Sequence, residues 1–88
     1  MDLAAERLNE VKPEHPREGG RKLSGEVVAQ FAVDTAGLAD MSTFRTVRSA
    51  HPLLAEAVRS AIPQFRFAPA VLGGRKVKQL VQQRFIFR

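Results

Sequence analysis

The residues with the chemistry to act on a substrate are few and badly placed for it. His15 and His51 are the only histidines, far apart in the sequence, with no acidic or histidine neighbour at ligand spacing. They read as a loop histidine and a helix-start histidine rather than as metal ligands or general bases. No serine lies in a nucleophile-elbow sequence; Ser24, Ser42, Ser49 and Ser60 all lack that context. Asp34 precedes Thr35-Ala36-Gly37 and is better suited to opening a turn than to catalysis. Gly73-Gly74 does not lead from a strand into a helix, so it offers no phosphate cradle. With no cysteine in the chain, thiol nucleophiles, thiolate metal sites and disulfides are excluded. The expectation is a binding module without catalysis, cofactor or metal.

Composition narrows the partners. Fourteen Lys and Arg against nine Asp and Glu give a net charge of +5, which favours acidic partners. The cations are dispersed, with small clusters at Arg21-Lys22, at Arg75-Lys76-Lys78 and at Arg84 and Arg88, as on a solvated basic surface. Phe65, Phe67, Phe85 and Phe87 interleave with Arg66, Arg84 and Arg88, a mixture also found on single-strand nucleic-acid platforms. The phenylalanines fall on the core stripes described below, however, and neither RRM aromatic motif is present, so no nucleic-acid partner is expected, and a basic nucleic-acid-binding module stands as the alternative reading of function. No apolar run approaches the roughly 20 residues that span a bilayer. The first ten residues are too charged for a signal peptide.

The chain is long enough for one small domain of 88 residues. We divide it into an N-terminal segment, 1–24, and a β-β-α-β unit, 25–88. Leu3 to Val11 have helix-forming composition, whereas Pro13, Pro16, Gly19, Gly20 and Gly25 make the following stretch irregular or extended. No internal repeat or low-complexity tract is apparent.

From Gly25 the pattern becomes strict alternation. Val27, Ala29, Phe31 and Val33 take one face, and Val28, Gln30, Ala32 and Asp34 the other, which marks a strand with one core face. Asp34 to Gly37 forms a hairpin turn. In the second strand, Leu38 to Ser49, the parity switches near Ser42-Thr43, as a β-bulge requires. Leu54, Ala57, Val58, Ala61, Ile62 and Phe65 then form a single helical stripe. Pro52 suits the first helical position, with His51 or Ser49 at the cap. Pro63 loosens the last turn, and Pro69 prevents continuation.

After Gly73-Gly74 comes a final strand. Val77, Val81, Phe85 and Phe87 share the core parity; Lys76, Lys78, Gln82, Arg84 and Arg88 face water. Gln79 and Gln83 fall on the core face and Leu80 and Ile86 on the wet one, which suggests that the outer face is partly covered or meets a partner.

These elements fit an α+β architecture, a three-stranded antiparallel or mixed sheet with one helix on one face. A crossover that returns strand three beside strand one gives the order 2-1-3, with strands two and three pointing the same way. The last strand is then an edge. It carries Lys76 and Lys78 but no proline from Val71 onward, so its outer hydrogen-bonding row is open to strand addition or to self-pairing.

The ordered set GEVVAQFAVDTAG, then a helix, FRFAPA, GGRKV and a terminal FIF resembles the C-terminal domain of TonB-type energy transducers, over roughly Pro13 to Arg88. The chain departs from the family in having His15-Pro16 where a Tyr-Pro pair is usual. It also has Gly19-Gly20 in place of helix formers, and Arg84 where proline is frequent.

The resemblance implies a periplasmic adaptor on a linker, anchored by an inner-membrane helix that this stretch does not contain. It implies that the TonB box of an outer-membrane transporter adds as a strand beside Lys78, Gln79, Leu80, Val81, Gln82, Gln83 and Arg84. Glu14, His15 and Pro16, which match the family's Tyr-Pro region, would also meet the box. The ExbB–ExbD motor would supply force through other parts of the parent protein, and homodimers are a further possibility.

Overall fold

The structure, a computed structural model, describes residues 2–88. Its centre is the strand with the cleanest alternation, β4 (Gly25–Val33), whose Val27, Ala29, Phe31 and Val33 are fully buried. The remaining strands are β1 (Glu6–Arg7), β2 (Arg17–Glu18), β3 (Arg21–Lys22), β5 (Ala39–Ser49), β6 (Phe67–Ala68), β7 (Ala70–Leu72), β8 (Arg75–Val77) and β9 (Gln79–Phe87). One helix, α1 (Pro52–Ala61), runs on into a 3-10 turn at Ile62–Gln64. The main sheet has the order β5-β4-β9 with both pairings antiparallel, so the expected 2-1-3 arrangement holds and β5 and β9 point the same way.

Local chemistry sets the turns and ends. Asp34 Oδ1 accepts from the N–H groups of Ala36 and Leu38 at 2.9 Å, closing the β4–β5 turn. Gly37 has φ of 82° there, and its carbonyl accepts from Phe67 N–H; a Cβ at this position would lie 2.2 Å from Phe67 O. His51 caps α1, its Nδ1 accepting from Leu53 N–H at 3.0 Å. Pro63 falls inside the 3-10 turn, where the loss of its N–H tightens the helix end.

The bulge expected near Ser42-Thr43 is present. Between the Gln30↔Arg45 and Ala32↔Asp40 pairs, β5 spends extra residues, and Thr43 Oγ1 accepts from Ala32 N–H at 2.8 Å in place of a main-chain carbonyl. A second irregularity, at Val47, went unread in the sequence.

The N-terminal segment is extended and not helical. β1 pairs with β6, Leu3 bridges Val71, and Leu8 N–H donates to Arg66 O. Asn9 continues this seam with its side chain, accepting from Arg66 N–H and donating to Gln64 O. Composition favoured a helix, but main-chain groups along residues 64–71 offer an extended chain partners that a helix could not use.

The last strand is also not continuous. β8 folds back on β7 as a hairpin, and the chain breaks at Lys78 before β9 begins.

The core lies on one side of the sheet. The helix covers β4 and β5 with Leu54, Val58, Ala61 and Ile62. The extended N-terminal segment lies beside the helix and covers the β9 side. Arg7 stacks on Phe65, Phe65 contacts Phe85, and the His15 ring meets Phe87 edge-on. Gln79 on the core face is thereby explained. What lies over it is a backbone, and its Oε1 accepts from Ala5 N–H at 2.7 Å. Gln83, on the same face, is half-buried.

Candidate functional site

Which main-chain groups of β9 point outward follows from β4. Ala32 N–H turns toward β5 to reach Thr43, and Glu26 O turns toward β5 to accept from Ala50 N–H. Even-numbered residues of β4 therefore direct their main chain at β5, and odd-numbered ones direct theirs at β9. The β4–β9 register is unbroken over nine pairs, from Gly25↔Phe87 to Val33↔Gln79, so odd residues of β4 meet odd residues of β9. The N–H and C=O groups of Leu80, Gln82, Arg84 and Ile86 consequently face away from the sheet. Among the described residues no strand pairs with that side.

The seven residues singled out from the sequence thus separate into roles. Leu80, Gln82 and Arg84 carry outward main chain. Gln79, Val81 and Gln83 use theirs in the internal ladder, and their half-buried side chains face the core. Lys78 lies in the break before β9, and its ammonium bonds Asp40 Oδ2 at 2.5 Å, reaching across the end of β4. That bond, together with donation from the Ser42 hydroxyl and N–H, holds the Asp40 carboxyl down to about 2. Arg84 is not a free cation either: Glu26 on β4 pairs with it on one side and with Arg48 of β5 on the other. Ile86, 45% exposed, shares the outward main-chain direction and lies beyond Arg84, where the set singled out from the sequence ends. The ladder parity that reveals it rests on the Ala32 and Glu26 main-chain bonds to β5, which side-chain alternation does not show.

The N-terminal motif comes to the far end of this edge. Lys12, Pro13 and His15 join Phe85, Ile86, Phe87 and Arg88 around a cavity of about 260 Å³. His15 Nε2–H donates to Leu23 O at 2.5 Å, and Pro16 O accepts from Leu23 N–H, so both residues are fixed by the β3–β4 connection. Glu14 is exposed and faces the larger groove, about 680 Å³, between residues 12–17 and the exposed side of α1. The structure therefore brings His15 to β9 and sets Glu14 and Pro16 along the neighbouring groove.

No other arrangement competes. Phe65, Phe67 and Phe87 are buried and Phe85 is half-buried, so they offer no open stacking platform. Among the described residues no cluster of His, Cys, Asp or Glu is fit to hold a metal ion, and no helix is long and apolar enough to cross a membrane.

Comparison with known proteins agrees with this architecture. The family model described as the Gram-negative bacterial TonB protein C-terminal matches residues 12–88. The solution NMR structure of the Pseudomonas aeruginosa TonB C-terminal domain superposes with a TM-score of 0.77 at 27% sequence identity, covering 99% of this chain and 88% of that one. No curated protein matches the sequence. Family pattern and fold coincide over nearly the whole length, and the chain belongs to the Gram-negative bacterial TonB C-terminal domain family.

Proposed function

We propose that this domain grips the TonB box of an outer-membrane transporter by strand addition along the outer edge of β9, and passes force to it. Members of the family are periplasmic domains of energy transducers serving transport. The observation that carries the finer reading is the unbroken nine-residue ladder, which leaves the main chain of Leu80, Gln82, Arg84 and Ile86 facing outward. An added strand reads mostly backbone, so a single edge serves transporters of different sequence. Each main-chain hydrogen bond contributes about 1 kcal/mol net, so the grip is weak and reversible without further contacts. Tension along the strand axis loads those bonds together in shear. The cavity beside Pro13, His15 and Phe87 receives a side chain at the far end of the added strand. In this reading the force originates in an ExbB–ExbD motor and arrives through a linker and an inner-membrane helix of the parent protein.

Titration with a TonB-box peptide, followed by amide chemical shifts, tests the reading. The amides of Leu80, Gln82, Arg84 and Ile86 should move most and gain protection from exchange. Static β9 amides at saturating peptide would overturn it. The same open edge allows two copies to pair through β9, and sedimentation over a range of concentrations without peptide reads that competing state.

A further inference from the structure

The hairpins that precede β4 and β9 are copies of each other, a repeat not apparent in the sequence reading. Gly19-Gly20-Arg21-Lys22 recurs as Gly73-Gly74-Arg75-Lys76, and each is followed within a few residues by a nine-residue strand. The turns share a conformation, with φ of 59° and 80° at the first glycine pair and 59° and 75° at the second. Positive φ at both central residues is the type I′ pattern, for which Gly-Gly is well suited. The registers also match: Arg17↔Lys22 corresponds to Val71↔Lys76, and Glu18↔Arg21 to Leu72↔Arg75.

One constant offset in the numbering carries the first hairpin onto the second, β4 onto β9, and Ala29 onto Gln83. Ala29 and Gln83 are themselves ladder partners. The antiparallel pair therefore has a local two-fold axis at this pair, perpendicular to the sheet. Such an axis exchanges ends and keeps faces. It sets the two turns at opposite ends of a ladder about 30 Å long, at roughly 3.4 Å per residue. The molecule measures 51 Å along its longest axis.

The charges differ between the sheet and the turns beyond it. On the sheet, near the two ends of the ladder, Glu26 holds Arg48 and Arg84, and Asp40 holds Lys78. At the turns, Arg21, Lys22, Arg75 and Lys76 are exposed and, among the described residues, none forms an ion pair; Glu18 stands opposite Arg21, and the Asp2 carboxylate accepts from Gly74 N–H, so each turn keeps a net positive charge. The second turn adds apolar surface, with Leu72 52% exposed and Leu3, which bridges Val71, 63% exposed. Two unpaired cationic turns set this far apart exceed the reach of one acidic side chain and suit an extended anionic surface. Exposed leucine beside cations is what a lipid interface accommodates and a soluble polyanion does not.

We propose that the two Gly-Gly-Arg-Lys turns are a matched pair of contacts for an anionic lipid surface, which the domain meets at both ends of the β4–β9 ladder at once. The proposal does not rest on strand addition, since its contacts are the turns and not the β9 edge.

Co-sedimentation with phosphatidylglycerol-containing vesicles, with phosphatidylcholine vesicles as reference, tests it. Binding should require phosphatidylglycerol and weaken with salt. R21Q/K22Q and R75Q/K76Q should each lower affinity by roughly 25-fold, from about fivefold per cation. R45Q/R59Q, which removes the same charge elsewhere, should change it by less than about threefold. Leu72→Ser should weaken binding with no change in charge. Amide spectra establish that the turn variants stay folded. Failure to bind phosphatidylglycerol vesicles, an equal loss in R45Q/R59Q, or a loss confined to one turn would overturn the proposal. So would tighter binding to polyglutamate than to vesicles, which would assign the turns to an acidic protein partner.

Discussion

The main sheet has two open edges, and they are built differently. β9 keeps register with β4 through nine consecutive pairs. β5 loses register twice, and one of its main-chain acceptors is replaced by a threonine hydroxyl. Bulges twist an edge away from a straight partner, a common way to keep it from pairing with other chains. One sheet therefore carries a blunted edge and a straight one, and the straight one ends at a cavity formed with the N-terminal segment. The contrast shows that the openness of β9 is not merely what remains when a small sheet runs out of strands. The same domain has a device for closing an edge and applies it on the opposite side.

The largest expected effect comes from proline on either side of one residue boundary in β9. Gln83→Pro removes an N–H that faces β4 and should cost at least about 2 kcal/mol, measured by denaturant melting. Gln82→Pro removes an outward N–H, where proline is tolerated on an edge strand, and should leave a folded domain. Its affinity for TonB-box peptide should fall at least about fivefold, the worth of one hydrogen bond. On β5 Thr46 directs its main chain outward, because its partner Ala29 directs its own at β9. Thr46→Pro should keep peptide affinity within about twofold. If it loses binding as Gln82→Pro does, the two edges are equivalent and the contrast fails.

Next in size is the anchor of the β4–β5 turn. Gly37→Ala puts a side chain at positive φ, at a cost of roughly 1–2 kcal/mol, and drives it into Phe67 O. The summed loss should exceed about 2 kcal/mol in thermal or denaturant melting, with increased exchange along β5 before β9. Uniform exchange along both strands would show that the two edges are not independently supported.

Thr43 tests the bulge itself. Thr43→Val leaves Ala32 N–H without its acceptor, which costs about 1–3 kcal/mol, whereas Thr43→Ser should restore most of the loss. A Val variant as stable as the parent would mean that the hydroxyl does not hold the bulge.

Much of this contrast could be read from residue types alone. The alternation in Gly25–Val33, the stripe from Leu54 to Phe65 and the parity switch at Ser42-Thr43 each bury or expose a face according to local period, and each was legible. Periodicity is silent on what main chain pairs with main chain. The N-terminal segment had helical composition but found its partners in residues 66–71, and Gln79 looked misplaced until Ala5 N–H was seen above it. The outward charges of Lys78 and Arg84 looked available because a sequence does not show that Asp40 and Glu26 lie across the strands. The duplicated turn was not picked out from the sequence, because its significance lies in the antiparallel register that places its copies at opposite ends.

The smallest effect concerns the bond that ties the two edges together. Lys78, at the head of β9, reaches Asp40 on β5, and the Asp40 carboxyl sits at about 2 in the fold against an ordinary 3.8. A carboxyl depressed by folding stabilises the protein above its unfolded pKa, and that contribution is lost as pH falls through the folded value. The Asp40 contribution should therefore be complete above about pH 4 and fade between about 4 and 2. In Lys78→Met the largest cause of the depression is gone while the Ser42 bonds remain, so the midpoint should rise partway toward 3.8. Carboxyl carbon shifts of Asp40 report this directly, and the acid limb of the stability curve should flatten in the same window. Asp40 is half-buried but its Lys78 partner is exposed, so salt should weaken the effect in the parent more than in the variant. An Asp40 midpoint unmoved by Lys78→Met would show that Ser42 alone holds the carboxylate and that the Lys78–Asp40 bond does not couple the two edges.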